Sequence, residues 1–446
     1  MSKLRSWLES RNTADKAVIL LMIQGYFLLT LACLFILVLP FSQSQVTPFI
    51  DHLFFAVSIV STTGLAPGDF SSTYNLFGQI MSLIFIQMGG VGYMALSSFV
   101  ILKQSKRLPS LPARLLRLEF NLPERYPLVA FIYSVVIFTV LIEIIGAVLL
   151  YIGFQQAGVS DPIWQAIFHS ISAFCTAGFS LFSDSMVGFQ DNALITNTIV
   201  GLSLLGSIGF IVLLDFWFKL IGKRKRITLT SRIILFCTVL FPSLAAIMVF
   251  ISDTTLRGMG WEGVQLAIFQ SISAHTTVGF NNHDISQISV AGQFVMILLM
   301  VIGASPSGTG GGIKTTTVSA LIAVLLSILK RKRHVTFFNR EIPASNIYLA
   351  MSSAIFYGFI LLVGTWILLM IDGSTLGLTP LLFEAASALS TVGISTGITG
   401  DLSVWAKVVI CVLMFIGRLG VLTFGLALLS KAPLLRIKPQ SEDIAI

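Results

Sequence analysis

Four short segments of the sequence share one spacing: a phenylalanine, a serine four residues later, a threonine four after that, and a glycine two further on. They read Phe54…Ser58…Thr62-Thr63-Gly64, Phe168…Ser172…Thr176-Ala177-Gly178, Phe269…Ser273…Thr277-Val278-Gly279 and Phe383…Ser387…Thr391-Val392-Gly393. The glycines stand 114, 101 and 114 residues apart, so the chain carries a fourfold internal repeat. Phe and Ser at i and i+4 share one face of a short helix that runs into the Thr-x-Gly turn. Such a helix aims its C-terminal carbonyls, the negative end of its dipole, at whatever lies beyond it. Glycine accepts a positive φ, which lets the neighbouring carbonyls turn toward a common axis. Four turns about one axis would stack rings of oxygen able to replace the water around a cation. Taken singly, each copy reads better as an ordinary helix C-cap. Four copies at corresponding places between apolar stretches favour the shared axis. The candidate ligand set is the backbone of Thr62, Thr63, Gly64, Thr176, Ala177, Gly178, Thr277, Val278, Gly279, Thr391, Val392 and Gly393.

The elements that must position these turns are apolar. Hydrophobic residues make up 55% of the 446 and charged residues 11%, against about 25% charged in soluble domains. The expected class is an all-α polytopic membrane protein. Four tandem M1–P–M2 repeats supply eight transmembrane helices and four re-entrant pore loops, in pseudo-fourfold arrangement around one pore. The first span, Ala17–Leu39, has 23 residues, about 34 Å of helix for a hydrocarbon core of about 30 Å. It lacks a small-residue cleavage site and is read as retained. The others are Leu76–Leu102, Leu128–Ile152, Asn192–Ile221, Ile233–Ile251, Ala291–Leu329, Ile347–Ile371 and Val404–Leu429. The repeats divide the chain at residues 1–126, 127–231, 232–342 and 343–446. Cys33, Cys175, Cys237 and Cys411 show no metal-binding or disulfide spacing.

Charge sets the orientation. Of 28 Lys and Arg, 24 fall before the first span, in the stretches Lys103–Arg125, Lys219–Arg232 and Lys330–Arg340, or from Lys431 onward. The positive-inside rule puts those segments and both termini in the cytoplasm of a multi-pass plasma-membrane protein. The net charge of +8 therefore reports topology and contact with anionic lipid, and nucleic acid is not expected as a partner. The opposite side carries Asp51, Asp69, Asp161, Asp184, Asp191, Asp253, Glu262, Asp284, Asp372, Glu384 and Asp401, an acidic vestibule that would concentrate cations.

Two places break the repeat. The third M2 is interrupted from Gly303 to Thr315 by five glycines and a proline, which cannot sustain a straight helix. Non-helical backbone at membrane depth must be buried in protein or line a water-filled path. The stretch is expected to hang across the pore as a gate, spanning residues 303–317. Its candidate residues are Gly303, Gly308, Gly310, Gly311, Gly312, Lys314 and Thr315. It misses a phosphate-binding G-x-x-x-x-G-K-[ST] loop by one residue, because Ile313 separates Gly312 from Lys314. The fourth M2 holds Arg418 inside an apolar run, where a charge needs a cavity or polar partners. The carbonyls of the gate loop suit its donors. Elsewhere, His275 reads as a hydrogen-bonded support of the third turn. Glu143 reads as a buried acid without a partner, and Asp215 as a near-surface carboxylate.

With these residues on the page, the chain resembles the Trk/Ktr/HKT superfamily of cation translocators, specifically its Ktr-type membrane subunit. The resemblance rests on the four turn glycines, on Gly303–Thr315 and on Gly417-Arg418-Leu419-Gly420. The third turn's T-V-G-F is also similar to the core of potassium-channel filters. The resemblance implies K⁺ as the transported substrate at the turns, uptake through a gated channel-like pore, and Na⁺ as an activator. It further implies a homodimer seated on a cytosolic ring of nucleotide-binding regulatory subunits, with the third-repeat loop as gate and the fourth-repeat arginine against it. Phe174-Cys175-Thr176-Ala177 departs from the asparagines expected in the second turn. A Na⁺/K⁺ symporter or a Na⁺-permeable member is the alternative. No H-E-x-x-H or Walker pair points to an enzyme, and no covalent cofactor is expected.

Overall fold

The computed structural model describes residues 2–105, 108–120, 122, 126–332, 334–421 and 423–425, with only the backbone of residues 2–18 and 105. The C-terminal basic stretch and the last residues expected of the fourth M2, 426–429, lie outside the described residues. So do the side chains of the four N-terminal basic residues. Among the described residues, regular structure is almost wholly helical. The first quarter holds α1 (Ser2–Val38), α2 (Phe49–Val60), the single turn α3 (Phe70–Thr73), α4 (Leu76–Val91), α5 (Tyr93–Ser105) and α6 (Ser110–Glu119). Next come α7 (Leu128–Gln156), α8 (Pro162–Phe174), α9 (Ala193–Ile208) and α10 (Phe210–Leu220). The third stretch has α11 (Leu229–Ser252), α12 (Thr254–Gly258), α13 (Trp261–Thr276), α14 (Val290–Ile302) and α15 (Thr315–Leu329). A two-residue hairpin, β1 (Thr336–Phe337) with β2 (Arg340–Glu341), precedes α16 (Ala344–Leu376), α17 (Leu378–Leu389) and α18 (Val404–Leu419).

Four described helices are long and apolar enough to cross a bilayer unbroken: Ile19–Val38, α7, α11 and α16. Their outward faces carry large apolar side chains, such as Ile144, Val239, Phe359 and Trp366, all exposed. Lipid can take the place of a core there. The straight second spans expected at Leu76–Leu102 and Asn192–Ile221 are instead sharply bent. α4 meets α5 at 88° about Gly92, and α9 meets α10 at 90° about Gly209. Both glycines have φ near +90°, a conformation an L side chain resists. Gly303 ends α14 and Gly420 ends α18, again with positive φ. Only the third break is legible in the sequence, because it alone adds a proline to its glycines.

Each broken span starts on a side-chain cap. Asn75, Asn192, Ser289 and Ser403 accept backbone N–H groups of α4, α9, α14 and α18 respectively. Each long helix packs on the short helix that follows it, α1 on α2, α7 on α8, α11 on α13 and α16 on α17. The first halves of the broken spans then pack onward in a circle: α4 on α8, α9 on α13, α14 on α17, and α18 back on α2. The last junction joins distant parts of the chain, and there Lys407 Nζ lies 2.8 Å from Asp51 Oδ1 with both side chains largely buried.

The basic stretch 103–125, read as a loop, contains the helix α6, which tucks Leu115 and Leu116 against the bundle and places Glu119 near Gly92. Asp215 is not near-surface but fully buried. It accepts from Tyr126 Oη (3.0 Å), Arg224 Nη1 (2.5 Å), Thr228 Oγ1 and Ser231 Oγ (both 2.6 Å), pinning α10 to the start of α11. A buried carboxylate is tolerated when every lone pair finds a donor.

A ring of turns and the loop packed against it

The short helices α2, α8, α13 and α17 converge, and each ends on a threonine in the left-handed conformation: Thr62, Thr176, Thr277 and Thr391, φ between 50 and 58°. One backbone bond recurs in all four. Thr63, Ala177, Val278 and Val392 donate N–H to the carbonyls of Ser58, Ser172, Ser273 and Ser387, at 2.8–3.1 Å. The repeated serine also uses its hydroxyl, in two ways. Ser58 and Ser387 Oγ accept from the N–H of Gly64 and Gly393 (3.1 and 3.0 Å). Ser172 and Ser273 Oγ donate to the carbonyls of Phe179 and Phe280 (2.8 and 2.7 Å). The repeated phenylalanines are buried beneath the helices. Local sequence therefore pins each turn to its own helix.

The four glycines then meet one another. A Cβ on Gly64 would strike the Ala177 carbonyl oxygen, and one on Gly178 the Val278 oxygen. Gly279 presses in the same way on Val392 O, and Gly393 on Thr63 O. Each glycine Cα also approaches the next glycine, and the sequence of contacts closes after four steps. Positive φ and lack of space together exclude a side chain at these positions.

The stretch from Gly303 to Lys314 is non-helical and lies against the threonine side of this ring. Thr309 Oγ1 is 3.1 Å from both Phe174 O and Thr176 Oγ1. Gly311 N donates to Thr277 Oγ1 at 3.0 Å. A Cβ on Gly310 would collide with Thr277 Oγ1, and one on Gly311 with Ser390 O. Lys314 Nζ folds back on the stretch's own carbonyls, Gly310 O (2.5 Å) and Gly311 O (3.3 Å). Gly308 N bonds Ser305 O, and Thr315 N bonds Ala304 O. Gly303 and Gly312 touch backbone to backbone at the base of the loop. Further bonds from Ser305 N to Ser207 O and from Thr309 N to Gly206 O fasten the loop to the bend after α9.

Arg418 completes the set. Its Nη1 donates to Thr309 O (2.6 Å) and Thr62 Oγ1 (3.0 Å), and its Nη2 to Gly89 O and to Gly90 O (3.1 Å). One guanidinium thus joins the loop to the first turn and to the end of α4, using the planar spread of its donors. The loop and Arg418 together touch all four turns. Beyond the loop lies a cavity of about 610 Å³ bordered by Pro306, Gly312, Lys314, Tyr357 and Gly420.

Several side chains differ from expectation. Glu143 has a partner, Gln87 Nε2 at 3.1 Å, while Cys175 Sγ lies 3.2 Å from Gln87 Oε1 behind the second turn. His275 is buried, and its Nδ1 has no hydrogen-bond partner among the described residues, so it does not brace the third turn that way. The expected acidic vestibule is sparser. Asp69, Asp253 and Asp284 cap helix starts, Asp372 accepts from Ser403 N, Asp51 pairs with Lys407, and Glu384 is buried. The Ser286 hydroxyl, with the Ser286 amide, holds the Asp284 carboxyl below the usual carboxylate range. Asp161, Asp184, Asp191, Glu262 and Asp401 remain exposed.

The sequence reading also missed a set of glycines. Gly89, Gly206 and Gly417 lie three residues before the bends at Gly92, Gly209 and Gly420, and each packs on the C-terminal carbonyl of a short helix: Val60, Phe174 and Leu389. The G-x-x-G spacing recurring near the end of three of the four broken spans was the available signal.

A ring of backbone turns crossed by a loop, inside a bundle of apolar helices, defines a membrane cation translocator rather than an enzyme. The comparisons agree: a family profile described as "TrkH: Cation transport protein" matches residues 3–434, and the chain belongs to that family, on its Ktr-type branch. It is 31% identical over 431 residues to the Ktr system potassium uptake protein B of Vibrio alginolyticus, covering 96% of this chain and 94% of that one. It is 32% identical to the potassium/sodium uptake protein NtpJ of Enterococcus hirae, covering 92% of each. It is 34% identical to the Ktr system potassium uptake protein D of Bacillus subtilis, covering 90% of each. The crystal structure of the potassium transporter TrkH from Vibrio parahaemolyticus superposes with a TM-score of 0.67 over 86% of this chain and 78% of that one, at 20% identity. That likeness establishes the fold.

Proposed function

We propose that this chain is the pore-forming subunit of a potassium uptake system, built as four M1–P–M2 repeats about one axis. The closed circle of glycine contacts carries the reading. It leaves the carbonyls of Thr62–Gly64, Thr176–Gly178, Thr277–Gly279 and Thr391–Gly393 as the groups best placed to replace a K⁺ hydration shell. The stretch 303–317, non-helical as far as Lys314, is the gate. It stands against the threonine side of the ring, Arg418 fastens it, and the adjoining cavity offers room for it to withdraw. The chain sits in the plasma membrane with cytoplasmic termini. It works as a homodimer on a cytosolic nucleotide-binding ring, the arrangement its Ktr-type resemblance implies.

Flux of ⁸⁶Rb⁺ or K⁺ into liposomes holding the purified protein tests this, with Na⁺ in competition. The parent is expected to pass K⁺ in preference to Na⁺. Gly279→Ser should remove most of that preference, because the serine Cβ must displace the Val392 carbonyl. Unchanged preference in the serine variant would reject readout by backbone oxygen. The name of the E. hirae relative favours a second reading, transport of Na⁺ as well. An obligatory Na⁺ stoichiometry with K⁺ would select it.

A further inference from the structure

The residue nine before each turn glycine is buried in all four copies, and each time it differs: Phe55, His169, Gln270 and Glu384. In each copy it reaches the strand that leaves the ring after the glycine. His169 Nε2 meets Ser180 Oγ (3.0 Å) and accepts Leu181 N–H (3.3 Å), while Nδ1 is held by Gln165 O (2.8 Å). Gln270, with its amide oxygen turned to the strand, accepts the N–H groups of Asn282 (3.0 Å) and His283 (3.2 Å). Glu384 Oε1 accepts the Thr399 hydroxyl, and Thr399 Oγ1 is 3.0 Å from Ser395 Oγ. Phe55 packs its ring on Phe70 and Tyr74. Chemistry varies from copy to copy, yet the task is constant.

We propose that this position is an outer clamp that sets the spacing of the ring, and that Glu384 with Thr399 is the specificity-determining clamp of the fourth copy. The serine of each copy fixes the residue before the glycine and either the glycine or the residue after it, and the clamp fixes the strand a few residues further out. A carbonyl can hold its distance from an ion only if both flanks of its strand are restrained. The fourth clamp differs from the amide and imidazole versions because Glu384 is fully buried and its Oε2 has no partner among the described residues. Its grip on the strand therefore runs chiefly through the Thr399 hydroxyl, with the Ser395 hydroxyl beside it. Glu384 and Thr399 are positioning residues and touch no ion themselves.

The inference rests on the pore reading above. Its test is K⁺ uptake by Thr399→Val, Glu384→Ala and Glu384→Gln, with Gly279→Ser and the parent alongside. Losing the clamp should raise the apparent KM for K⁺ and lower K⁺-over-Na⁺ discrimination by about three- to tenfold, the worth of one net hydrogen bond. Vmax per inserted molecule should hold. Glu384→Gln keeps an acceptor for Thr399 and should behave as the parent. The double variant Glu384→Ala/Thr399→Val should be no worse than either single change. Thr399→Val is nearly isosteric, so it reads out even where Glu384→Ala fails to insert. Parental KM and discrimination in Thr399→Val, or a loss confined to Vmax, overturns the clamp. A parent that passes no K⁺, or a Gly279→Ser variant that discriminates normally, defeats the pore reading instead.

Discussion

At the scale of single residues, a guanidinium is asked to hold four oxygens at once. Arg418 links a loop carbonyl, a turn hydroxyl and the carbonyl end of α4, so removing it frees the loop from the first turn. Arg418→Ala is expected to raise basal ⁸⁶Rb⁺ flux in liposomes that contain no soluble partner. Normal expression with equal or lower flux would contradict a restraining role. Arg418→Lys should be nearly as leaky, because one ammonium cannot span the same partners. The need of Arg418 for polar neighbours was readable from its apolar run. So was its bond to the loop, made at Thr309 O; its bonds to Gly89 and Thr62, over 300 positions away, were not. Asp215 and Glu143 show the same limit. Their donors, Ser231 and Gln87, come from other helices, and no local pattern announces them.

At the scale of elements, the recurring feature is a helix that turns at a glycine. At Gly92 a side chain would need φ near +89° and would set its Cβ about 3.0 Å from Glu119 Oε1. Gly92→Ala is expected to cost at least the roughly 1–2 kcal/mol of a left-handed L residue, seen as a lower melting temperature in detergent. A melting temperature equal to the parent's would mean the bend needs no glycine. These bends escaped the sequence reading because Gly89, Gly90 and Gly92, like Gly206 and Gly209, lie in apolar runs without a proline, and glycine alone is tolerated in helices. The turns were legible for the opposite reason. Their Phe and Ser do local work within one short helix, and their Gly does the same work against the next copy every time, so the pattern is repeated wherever the work is. Where α18 meets α2, Lys407→Ala should strand Asp51 in a largely dry site and cost about 3 kcal/mol of stability. A paired Lys407→Met/Asp51→Leu change should recover most of it. Equal melting of the single and double variants would show that the pair is not coupled.

At the scale of the whole molecule, polarity across the membrane is the remaining expectation. A cysteine placed at Glu262 should react with an impermeant thiol reagent added outside intact cells, and one at Lys332 only after permeabilisation; the reverse labelling would invert the orientation. The four native cysteines are buried, so the background should be low. The circle of glycines has a direction, because each leans on the carbonyl of the copy that follows and the fourth leans on the first. Injury to such a circle is displaced by a quarter. A bulky residue at position 178 spares the oxygens of its own copy and disturbs those near Val278, so damage and symptom should map to different helices.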